Sequence, residues 1–320
     1  MFTRSRTTMR FFTVTGAIRR SLYHLQAAVR WRLARMTSFR RARSKFQRVH
    51  GYPLDLDNPR TFSERIVWRR LFARDPLLVR TADKIRVREH VAEVLGREEA
   101  AEILIPLLAV AEDPADLPFD EFTSPYIVKA NHGRGSHIVV RDPRAVDRNA
   151  VVRAMRRQLS RVYGSKNHEW AYTRIPPRVL VEELLVGPDG GLPADYKFHM
   201  IHGVCAFIQV DLDRESAHVR TLYTPDWDLV PVGLRLPRGP VQEAPSGLGR
   251  MLDVSRRLAA GLEYVRIDLY WTKGRVRFGE MTHYPASGHA LFDPVSYDAE
   301  LGRRWAELAQ AHEPVRDAGT

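Results

Sequence analysis

The sequence contains a single cysteine, Cys205, among its 320 residues. It therefore has no intramolecular disulfide and no zinc site built from several cysteines. Cys205 lies in the apolar run GVCAFIQV, where interior packing is favoured over catalysis because a buried thiol behaves as a small hydrophobe. Such cysteine usage is typical of a reducing compartment, so a cytoplasmic location is expected.

Long apolar segments are also missing. The best candidate, ILIPLLAVA, begins at Ile103 and contains a proline, and it is far shorter than the roughly 18 residues that a membrane-spanning helix requires. A hydrophobic content of 44% and a charged content of 28% are ordinary for a soluble globular protein. The length allows two domains with a sizeable core.

Acidic residues are absent from residues 1–50, which carry 13 lysines and arginines. The whole chain has a net charge of +12, and residues 51–320 hold 37 basic and 38 acidic residues, a net charge of −1. The basicity therefore belongs to the N-terminal segment alone. Nucleic-acid binding is not favoured, because no recognised module accompanies the charge.

Apolar residues recur in that segment at the spacing of a helix, while its arginines fall largely elsewhere around the helix. The apolar positions are Ile18, Leu22, Leu25, Val29, Leu33 and Met36. This basic amphipathic helix, with Trp31 near its middle, either lies on an anionic membrane surface or packs on the body with its arginines in water. The Arg- and Ser/Thr-rich start also resembles an organellar transit peptide, which the rest of the chain disfavours.

The remainder divides into a helical part and a mixed part. Residues 57–110 are predicted to be helical, with a capping box at Thr61–Glu64 and a second helix that starts near Asp83 and stops at Gly96. After the turn-rich stretch 112–118, runs of Val, Ile, Phe and Tyr predict strands, mostly in hairpins. The predicted strands are 126–129, 137–140, 178–186, 195–201, 204–212, 264–271 and 275–282, with helices near 144–162 and 247–261. We therefore expect an α+β body.

A lysine and a glycine-rich loop follow the first of these strands. In YIVKANHGRGSHIVV (126–140), alternation places Lys129 on the same face as Ile127. The loop supplies backbone N–H groups, flexibility and extra donors, which suit phosphate oxygens. It includes His132, Gly133, Gly135 and Ser136. The loop lacks the Gly-Lys-Ser/Thr ending of a Walker A motif, and a plain exposed hairpin is the alternative.

Two carboxylates mark the segment YVRIDLYWTKGRVRFGEMTHYPASG (264–288). Its two strands are predicted to join through the three-residue loop 272–274. In that register Asp268 lies opposite Phe278, and Glu280 is two positions further along on the same face, which Thr282 shares. Such diagonal neighbours have Cα atoms ~7–8 Å apart, so the carboxylates can hold one or two divalent cations. The alternative is a solvated hairpin with ordinary surface charges.

Two other strands carry polar residues. PRVLVEELLVG (177–187) can present backbone groups to an adenine edge while a carboxylate reaches an amino or hydroxyl group. In DYKFHMIHG (195–203), Asp195, Lys197 and His199 alternate onto one face, and Arg214 closes the next strand. These cations can meet a γ-phosphate or a substrate carboxylate, whereas a structural role is favoured for His199.

The order of these motifs resembles the ATP-grasp succession. It runs from Asp83-Lys84 and Ile105-Pro106 through VK…HGRGS and VEELL to RIDLY…FGEMT. The segments TFSERIVWRRLFARDP, ADKIRVREHV, DYKFHMIHG and FGEMTHYPASG resemble more specifically the TupA-like ATP-grasp proteins. These are bacterial proteins associated with teichuronopeptide and other cell-surface polysaccharide synthesis. The resemblance covers roughly residues 50–310.

This resemblance implies an ATP-grasp fold in which two α+β subdomains sandwich ATP after a helical N-terminal region. The expected divisions are a basic helical segment (1–50), a helical region (51–115), a small subdomain (116–186) and a large subdomain (187–320). The implied activity is an ATP- and Mg²⁺-dependent carboxylate–amine ligation through an acylphosphate, with Mn²⁺ as an alternative metal. The implied substrates are a carboxylated sugar or glycan precursor and an amine.

The resemblance also implies roles for single residues. Lys84 and Lys129 would contact the α/β-phosphates, with the loop of His132, Gly133, Gly135 and Ser136 closing over them. Glu182, Glu183 and Leu184 would form the adenine hinge. Asp268 and Glu280 would hold Mg²⁺, with Thr282 where many ATP-grasp enzymes have Asn. Lys197 and Arg214 would neutralise the transferring phosphoryl group.

Three other functions stay open on the sequence. A sugar or glycan kinase needs the same phosphate apparatus. A glycosyltransferase would instead use a nucleotide-sugar donor. A non-catalytic nucleotide-binding scaffold would dock to a membrane-bound glycan assembly through the basic helix. Because mainly helices stand where many ATP-grasp enzymes have a Rossmann-like substrate domain, the substrate does not follow from the resemblance.

Overall fold

The computed structural model describes residues 21, 24–133, 135, 137–187, 190–212 and 217–312. Within these residues the helices are α1 (24–36), α2 (Arg40–His50), α3 (Phe62–Phe72), α4 (Pro76–Ala82), α5 (Val87–Leu95), α6 (Arg97–Ile103), α7 (Arg148–Leu159), α8 (Trp170–Thr173), α9 (Leu248–Leu258) and α10 (Ser296–His312). The strands are β1 (Leu107–Ala111), β2 (Tyr126–Ala130), β3 (His137–Val140), β4 (Val179–Glu183), β5 (Asp195–Ile201), β6 (Val204–Leu212), β7 (Val219–Tyr223), β8 (Leu229–Val230), β9 (Gly233–Leu234), β10 (Tyr264–Thr272), β11 (Arg275–Thr282) and β12 (Phe292–Asp293).

Two antiparallel sheets organise these elements. One has four strands in the order β1-β4-β2-β3, and the other has six in the order β11-β10-β5-β6-β7-β8. A short pair, β12-β9, stands beside them. Helices pack on both larger sheets, so the predicted α+β class is confirmed. No helix among the described residues combines the length and the apolar character needed to cross a membrane.

Helix α3 connects the N-terminal helices to the six-stranded sheet. The predicted capping box is present, since Thr61 accepts from the Glu64 N–H and the Glu64 carboxylate accepts from the Thr61 N–H. From this start, Phe62 packs in one core with Phe207, Tyr264 and Trp305. The next turns of α3 bury Val67 and Leu71 in a second core with Phe46 and Leu54. The helix thus has apolar partners on two sides.

The prediction of helix through residue 110 is wrong at its C-terminal end. Residues Leu107–Ala111 form β1, which pairs antiparallel with β4 at the edge of the four-stranded sheet. The reason is Pro106, because a proline disfavours the α conformation in the residue before it. Helix α6 accordingly ends at Ile103. Strands β7, β8, β9 and β12 were not predicted either. Strands β8, β9 and β12 have only two residues each, and β12 pairs with the distant β9, whereas β7 and β8 follow β6 as successive antiparallel neighbours.

Strand β2 separates the core of the four-stranded sheet from a cleft. Tyr126 and Val128 are buried and pack with Val151 and Met155 of α7. By the alternation of a strand, Ile127 and Lys129 belong to the opposite face, and both line the cleft described below. The lysine is therefore placed by the same periodicity that buries its neighbours.

The six-stranded sheet has one apolar face and one divided face. On the first, residues of β5, β6 and β10 such as Phe198, Ile208 and Ile267 pack with Met251 and Val254 of α9. The second face is apolar only at the end covered by α3 and α10. At the other end it carries buried polar residues, which are Asp195, Lys197, His199, Gln209, Asp211, Asp268 and Thr282. So much buried polarity on one face indicates a functional surface.

Candidate active site

A cleft of about 230 Å³ lies between the two larger sheets. The four-stranded sheet and its loops contribute the residues Ile127, Lys129, Ala130, Gly133, Gly135, His137, Glu183, Leu184 and Leu185. The six-stranded sheet contributes Asp195, Asp268, Tyr270, Gly279 and Glu280. Lys84, Ile105, Leu192 and Pro193 complete the wall. The cleft thus has cations and carboxylates together with apolar residues.

The β10–β11 hairpin brings the two predicted metal ligands together in an unexpected register. Thr272 pairs with Arg275, so the turn has two residues, Lys273 and Gly274, both with positive φ (51° and 69°). The predicted three-residue loop is therefore wrong. The predicted pairing of Asp268 with Phe278 is also wrong, because Phe278 pairs with Leu269 instead.

A β-bulge restores the common face. The register shifts between Leu269↔Phe278 and Asp268↔Glu280, which leaves Gly279 as the extra residue. A Cβ at position 279 would lie 2.9 Å from the Asp268 carbonyl oxygen and 3.0 Å from the Tyr270 ring, so glycine is needed there. The short turn and the bulge each shift the register by one residue in the same direction, so the alternation of faces is preserved and the two carboxylates lie directly opposite.

Arg266 binds both carboxylates and was not predicted from the sequence. Its Nε and Nη2 donate to the two Asp268 carboxylate oxygens at 2.6 and 2.5 Å. The same Nη2 lies 3.3 Å from Glu280 Oε1 and 3.2 Å from Thr282 Oγ1. Arg266 stands two residues before Asp268, so strand alternation places both side chains on one face, and this spacing could have predicted the contact.

Lys84 joins the glycine-rich loop to the carboxylates. Its Nζ donates to the Gly133 carbonyl at 2.8 Å and lies 3.1 Å from Glu280 Oε2. The neighbouring backbone is fixed by Asp83, which is fully buried and accepts from Asn131 Nδ2 at 2.9 Å. The Asp83-Lys84 pair and the glycine-rich loop are thus held together although they are about fifty residues apart in sequence.

Lys129 is paired within its own sheet. Its Nζ donates to Glu182 Oε2 at 2.8 Å, and Arg88 donates to the other oxygen of Glu182 at 3.2 Å. Glu183 and Leu184 line the cleft, but their backbone N–H groups already donate to the carbonyls of Pro106 and Pro125. The three predicted hinge residues therefore have different surroundings, and Glu182 is engaged by cations.

Lys197 is buried among carboxylates. It forms ion pairs with Asp195, with Asp211 at 3.3 Å and with Asp268 at 3.7 Å. Asp211 is also held by Arg220, whose Nε donates to it at 2.6 Å. Asp195 was placed on this face from the sequence without a role. Asp211 and Arg220 were not predicted as site residues, because β7, which places Arg220 opposite Asp211, was not predicted.

His132 and His199 are both structural in their surroundings. Burial lowers the pKa of His132 to about 4, and its Nε2 lies 3.3 Å from the Arg161 carbonyl. His199 lies between Gln209 and the Tyr264 hydroxyl, and burial holds its pKa well below the usual value. Both are therefore neutral. The predicted residues Ser136 and Arg214 lie outside the described residues.

The charges of the opposed carboxylates differ. Burial raises the pKa of Asp268 to about 6, although Arg266 and Lys197 act against this rise. Burial acts in the same direction on Glu280, but Lys84 and Arg266 prevail and lower its pKa to about 2. Glu280 is therefore ionised at all ordinary pH values, whereas Asp268 titrates close to neutrality.

The oxygen donors suit magnesium. Among the described residues no group of three or more His, Cys, Asp or Glu side chains is placed to hold a metal ion. Mg²⁺, however, is commonly held by one or two carboxylates together with substrate phosphates and waters. Asp268 and Glu280, with the Thr282 hydroxyl donating to Glu280 at 3.2 Å, supply a set of that kind, so the residues present fit the ion.

Comparisons with known proteins agree with the resemblance found in the sequence. A family model of TupA-like ATP-grasp proteins matches residues 64–306. A search of curated proteins found no match.

Several solved structures are similar to the chain at low identity. D-alanine–D-alanine ligase from Bacillus anthracis, complexed with ATP, is 17% identical over 64% of this chain, with a TM-score of 0.37. The corresponding ligase from Helicobacter pylori is 14% identical over 73% of the chain, with a TM-score of 0.40. The ATP-grasp ligase PsnB, complexed with Mg and ADP, is 14% identical over 73%, with a TM-score of 0.38. The chain spans 54%, 59% and 60% of these three proteins' lengths.

Proposed function

Because the chain belongs to the TupA-like ATP-grasp family, we propose that it is an ATP-dependent carboxylate–amine ligase and that the cleft is its active site. The observation that carries this proposal is the double contact of Lys84. One ammonium group touches both the carbonyl of Gly133 in the glycine-rich loop and the carboxylate of Glu280. A phosphate-binding loop and a metal-binding pair of carboxylates are thus within reach of one cation.

The nucleotide has a suitable place for each of its parts. Ile105, Leu184, Leu185 and Leu192 give the cleft an apolar wall for the adenine. Lys84 and Lys129 supply positive charge for the phosphates, and Gly133 and Gly135 line the cleft without side chains, so that phosphate oxygens can approach their backbone. Tyr163 supports this loop, since a Cβ on Gly133 would come within 2.9 Å of its ring.

Mg²⁺, or Mn²⁺ in its place, would be held by Asp268, Glu280 and the Thr282 hydroxyl. When bound, the ion neutralises phosphate oxygens that carry the charge of ATP. Arg266, Lys84 and Lys197 surround these carboxylates with three further cations. Their positive charges would also be available to the phosphate oxygens of a bound nucleotide.

The reaction that this arrangement supports is a phosphoryl transfer followed by an acyl transfer. A substrate carboxylate attacks the γ-phosphorus, which gives an acylphosphate and ADP, and an amine then attacks the acyl carbon and releases orthophosphate. The first step requires in-line positioning and charge neutralisation rather than a protein nucleophile. The acylphosphate must be kept from water, and a glycine-rich loop that closes over the cleft would serve that purpose.

We infer that the carboxylate belongs to a sugar or glycan precursor of a cell-surface polysaccharide. The support for this inference is the family resemblance carried by DYKFHMIHG and FGEMTHYPASG. A sugar kinase is the second candidate, because the same cations and carboxylates suit direct phosphorylation of a hydroxyl. The products distinguish the two, since a ligase releases orthophosphate with a new amide, whereas a kinase leaves the phosphate on its product.

We also propose that residues 1–50 contact an anionic membrane surface from the cytoplasmic side. Helix α1 packs on the body through Trp31, whose Nε1 donates to the Leu71 carbonyl at 2.8 Å. The predicted apolar stripe faces outward instead, since Leu25, Val29, Leu33 and Met36 are 46–81% exposed. Exposed apolar residues among arginines are typical of interfacial helices. Ile18 and Leu22 of the stripe lie outside the described residues.

The nucleotide site can be tested by thermal shift with ATP, with and without Mg²⁺. We expect stabilisation of the wild-type chain that depends on the metal and is lost in Glu280→Gln, because this change removes an ionised ligand without altering the size of the side chain. Lys273→Gln at the exposed turn is the matched control and should behave as the wild type. If ATP and Mg²⁺ do not stabilise the wild-type chain, the proposed function is wrong.

A further inference from the structure

A second cavity, of about 680 Å³, lies between α1, α2 and residues 165–168. We call it the basic cavity because its lining includes six cationic side chains, from Arg30, Arg40, Arg41, Lys45, Arg70 and Lys166. No Asp or Glu is among the lining residues in the described part of the chain. Leu33 and Phe39 add an apolar part to the wall. A concave surface with this many charges of one sign attracts anions.

Arg70 shows that the positive charge of the cavity does not lie only on solvent-exposed side chains. Its side chain comes from α3 and is 2% exposed. The guanidinium donates to the Asn167 carbonyl, while its Nε has no hydrogen-bond partner. Within the described residues no carboxylate lies at ion-pair distance from it, and Glu169 acts on it only from further away. Burial of a cation without a paired anion raises the free energy of the folded state. A bound anion would lower it.

The pKa values of two histidines reflect the same positive charge. His168 lines the cavity and His289 lies outside its lining. Burial, together with Arg70, Arg30 and Arg74, lowers the pKa of His168 to about 4. Burial, together with Arg70 and Lys45, lowers the pKa of His289 to about 3. Neither ring nitrogen of His289 has a partner among the described residues. Both histidines are therefore neutral, and His168, which lines the cavity, adds a hydrogen-bonding group there without charge.

The basic cavity is connected to the strand that carries the candidate metal ligands. Asn167, which lines the cavity, donates from Nδ2 to Ser287 Oγ at 3.0 Å, and Ser287 donates to Glu169 at 2.5 Å. Ser287 lies in the turn 285–288 that follows β11 with Glu280 and Thr282. Its φ of 58° is unusual for a serine, so these contacts hold a specific backbone conformation between the two regions.

We propose that the basic cavity binds the phosphate or pyrophosphate group of the enzyme's sugar substrate. A guanidinium group can donate two parallel hydrogen bonds to two oxygens of one phosphate. The apolar wall suits the less polar part of such a substrate. The identity of the group as part of a substrate rests on the proposed function, whereas the anion site itself does not. The same group is present on a soluble sugar phosphate and on a lipid-linked sugar pyrophosphate.

The test is calorimetric binding of inorganic pyrophosphate to the full chain without divalent metal. Three double variants each remove two positive charges. Arg40→Gln/Arg41→Gln alters exposed residues of the basic cavity, Lys84→Gln/Lys129→Gln alters the cleft, and Arg153→Gln/Arg157→Gln alters the exposed face of α7 as a control. We expect roughly tenfold or greater weakening in the first variant only, because charge-assisted hydrogen bonds are lost there.

A second double variant of the basic cavity, Lys45→Gln/Lys166→Gln, should show the same loss of binding. It replaces Arg40→Gln/Arg41→Gln as the test if that variant does not fold. Equal weakening in the α7 control would indicate nonspecific attraction and overturn the proposal, as would loss only in the cleft variant or the absence of binding by the wild-type chain. Binding to anionic lipid vesicles without binding to pyrophosphate would assign the charge to a membrane surface and would also overturn it.

Two further measurements separate the sources of the phosphate group and the two proposals. If a soluble sugar phosphate displaces the bound pyrophosphate, the substrate is soluble. Competition only by a short-chain lipid-linked sugar pyrophosphate identifies a lipid-linked one. If ATP fails to bind while pyrophosphate binding persists, the anion site stands and the proposed function falls. If ATP binds with Mg²⁺ and pyrophosphate does not bind at all, the proposed function stands and the anion site falls.

Discussion

Asp268 lies directly across from Glu280 in the β10–β11 pair. A two-residue turn alone would place Gly279 opposite Asp268, since Thr272 pairs with Arg275. The bulged residue Gly279 shifts the register by one and brings the carboxylates together. The geometry of the candidate metal site therefore depends on a residue with no side chain of its own.

Replacement of Gly279 by Ala should damage the site directly. The new Cβ would meet the Asp268 carbonyl oxygen at 2.9 Å and the Tyr270 ring at 3.0 Å, and overpacking of this kind costs about 1–3 kcal/mol. We expect a lower free energy of unfolding in urea and a weaker Mg²⁺-dependent thermal shift with ATP.

Gly249→Ala is the matched control for this prediction. Gly249 lies in α9, and a Cβ there has no atom within 4 Å. Since alanine favours a helix over glycine by up to about 1 kcal/mol, this variant should be as stable as the wild type or more stable. If the two variants lose the same stability, the bulge is not a special requirement.

Arg266 and a metal ion should compete for the same oxygens. Arg266→Gln leaves Asp268 with Lys197 at 3.7 Å as its remaining ion pair among the described residues, and breaking a buried pair costs about 3–5 kcal/mol. Arg266→Lys keeps the charge but loses the paired hydrogen bonds, so its loss should be smaller, about 1–2 kcal/mol. The free energy of unfolding in urea measures both losses.

Added Mg²⁺ should restore part of the lost stability in Arg266→Gln, because it can replace the guanidinium between the carboxylates. The wild-type chain without nucleotide should gain less. Arg277→Gln on the paired strand β11, which removes an exposed donor to the Glu102 carbonyl, should stay within about 0.5 kcal/mol of the wild type. If Mg²⁺ helps all three chains equally, Arg266 and the ion do not share a site.

The pKa of Asp268 predicts a dependence of stability on pH. Burial raises this pKa from 3.8 to about 6 in the folded chain, so the folded state binds the proton more tightly than the unfolded state. The contribution of Asp268 to the free energy of unfolding should therefore fall as the pH rises from about 4 to 6, by up to about 1.4 kcal/mol per unit. Urea unfolding from pH 4 to 7 measures it.

Asp268→Asn isolates this contribution, since the amide does not titrate. The difference between the wild type and Asp268→Asn should fall over that pH range and flatten above it. Glu280 cannot produce the same effect, because Lys84 and Arg266 lower its pKa from 4.5 to about 2 against the effect of burial, so its contribution rises with pH and is complete above about pH 4.5. A difference that rises from pH 4 to 6 would contradict the assignment.

The features predicted correctly from the sequence are local ones. The capping box of α3 requires residues three apart, and the placement of Ile127 and Lys129 on one face of β2 requires only alternation. Asp268 and Glu280 were placed on one face despite two errors of one residue each, a turn one residue too long and an unrecognised bulge, because their sum of two preserves the alternation. The length of the turn is not visible in hydrophobic periodicity, whereas the bulge shifts the phase of the apolar pattern, since Val276, Phe278 and Met281 enter the same core.

Apart from the pair Arg266 and Asp268, the contacts missed from the sequence join distant segments. Lys84 meets Glu280 across nearly two hundred residues, and Lys129 meets Glu182 because β2 pairs with β4. The ion pairs of Lys197 with Asp211 and Asp268 likewise depend on the pairing of β5 with β6 and β10. Long-range pairing has no local signature, so the residues that act on the predicted ligands had to be read from the fold.

The exposed stripe of α1 should bind vesicles that contain phosphatidylserine. The triple variant with Leu25→Ser, Val29→Ser and Met36→Ser removes apolar surface that a bilayer interface would cover and leaves the lining of the basic cavity unchanged. Each such side chain contributes about 1 kcal/mol or more on transfer from water, so co-sedimentation should weaken by about a hundredfold or more. Stability should change little, since the three side chains are 46–81% exposed.

A second triple variant tests whether the position of these apolar residues matters. Leu229→Ser, Val241→Ser and Leu291→Ser remove side chains that are 38%, 64% and 41% exposed elsewhere on the body, and co-sedimentation should not change. High salt should weaken binding of the wild-type chain, because the arginines of residues 1–50 act on the lipid charge through a screened field. Equal losses in both triple variants would show that exposed hydrophobicity alone, and not the α1 stripe, drives sedimentation.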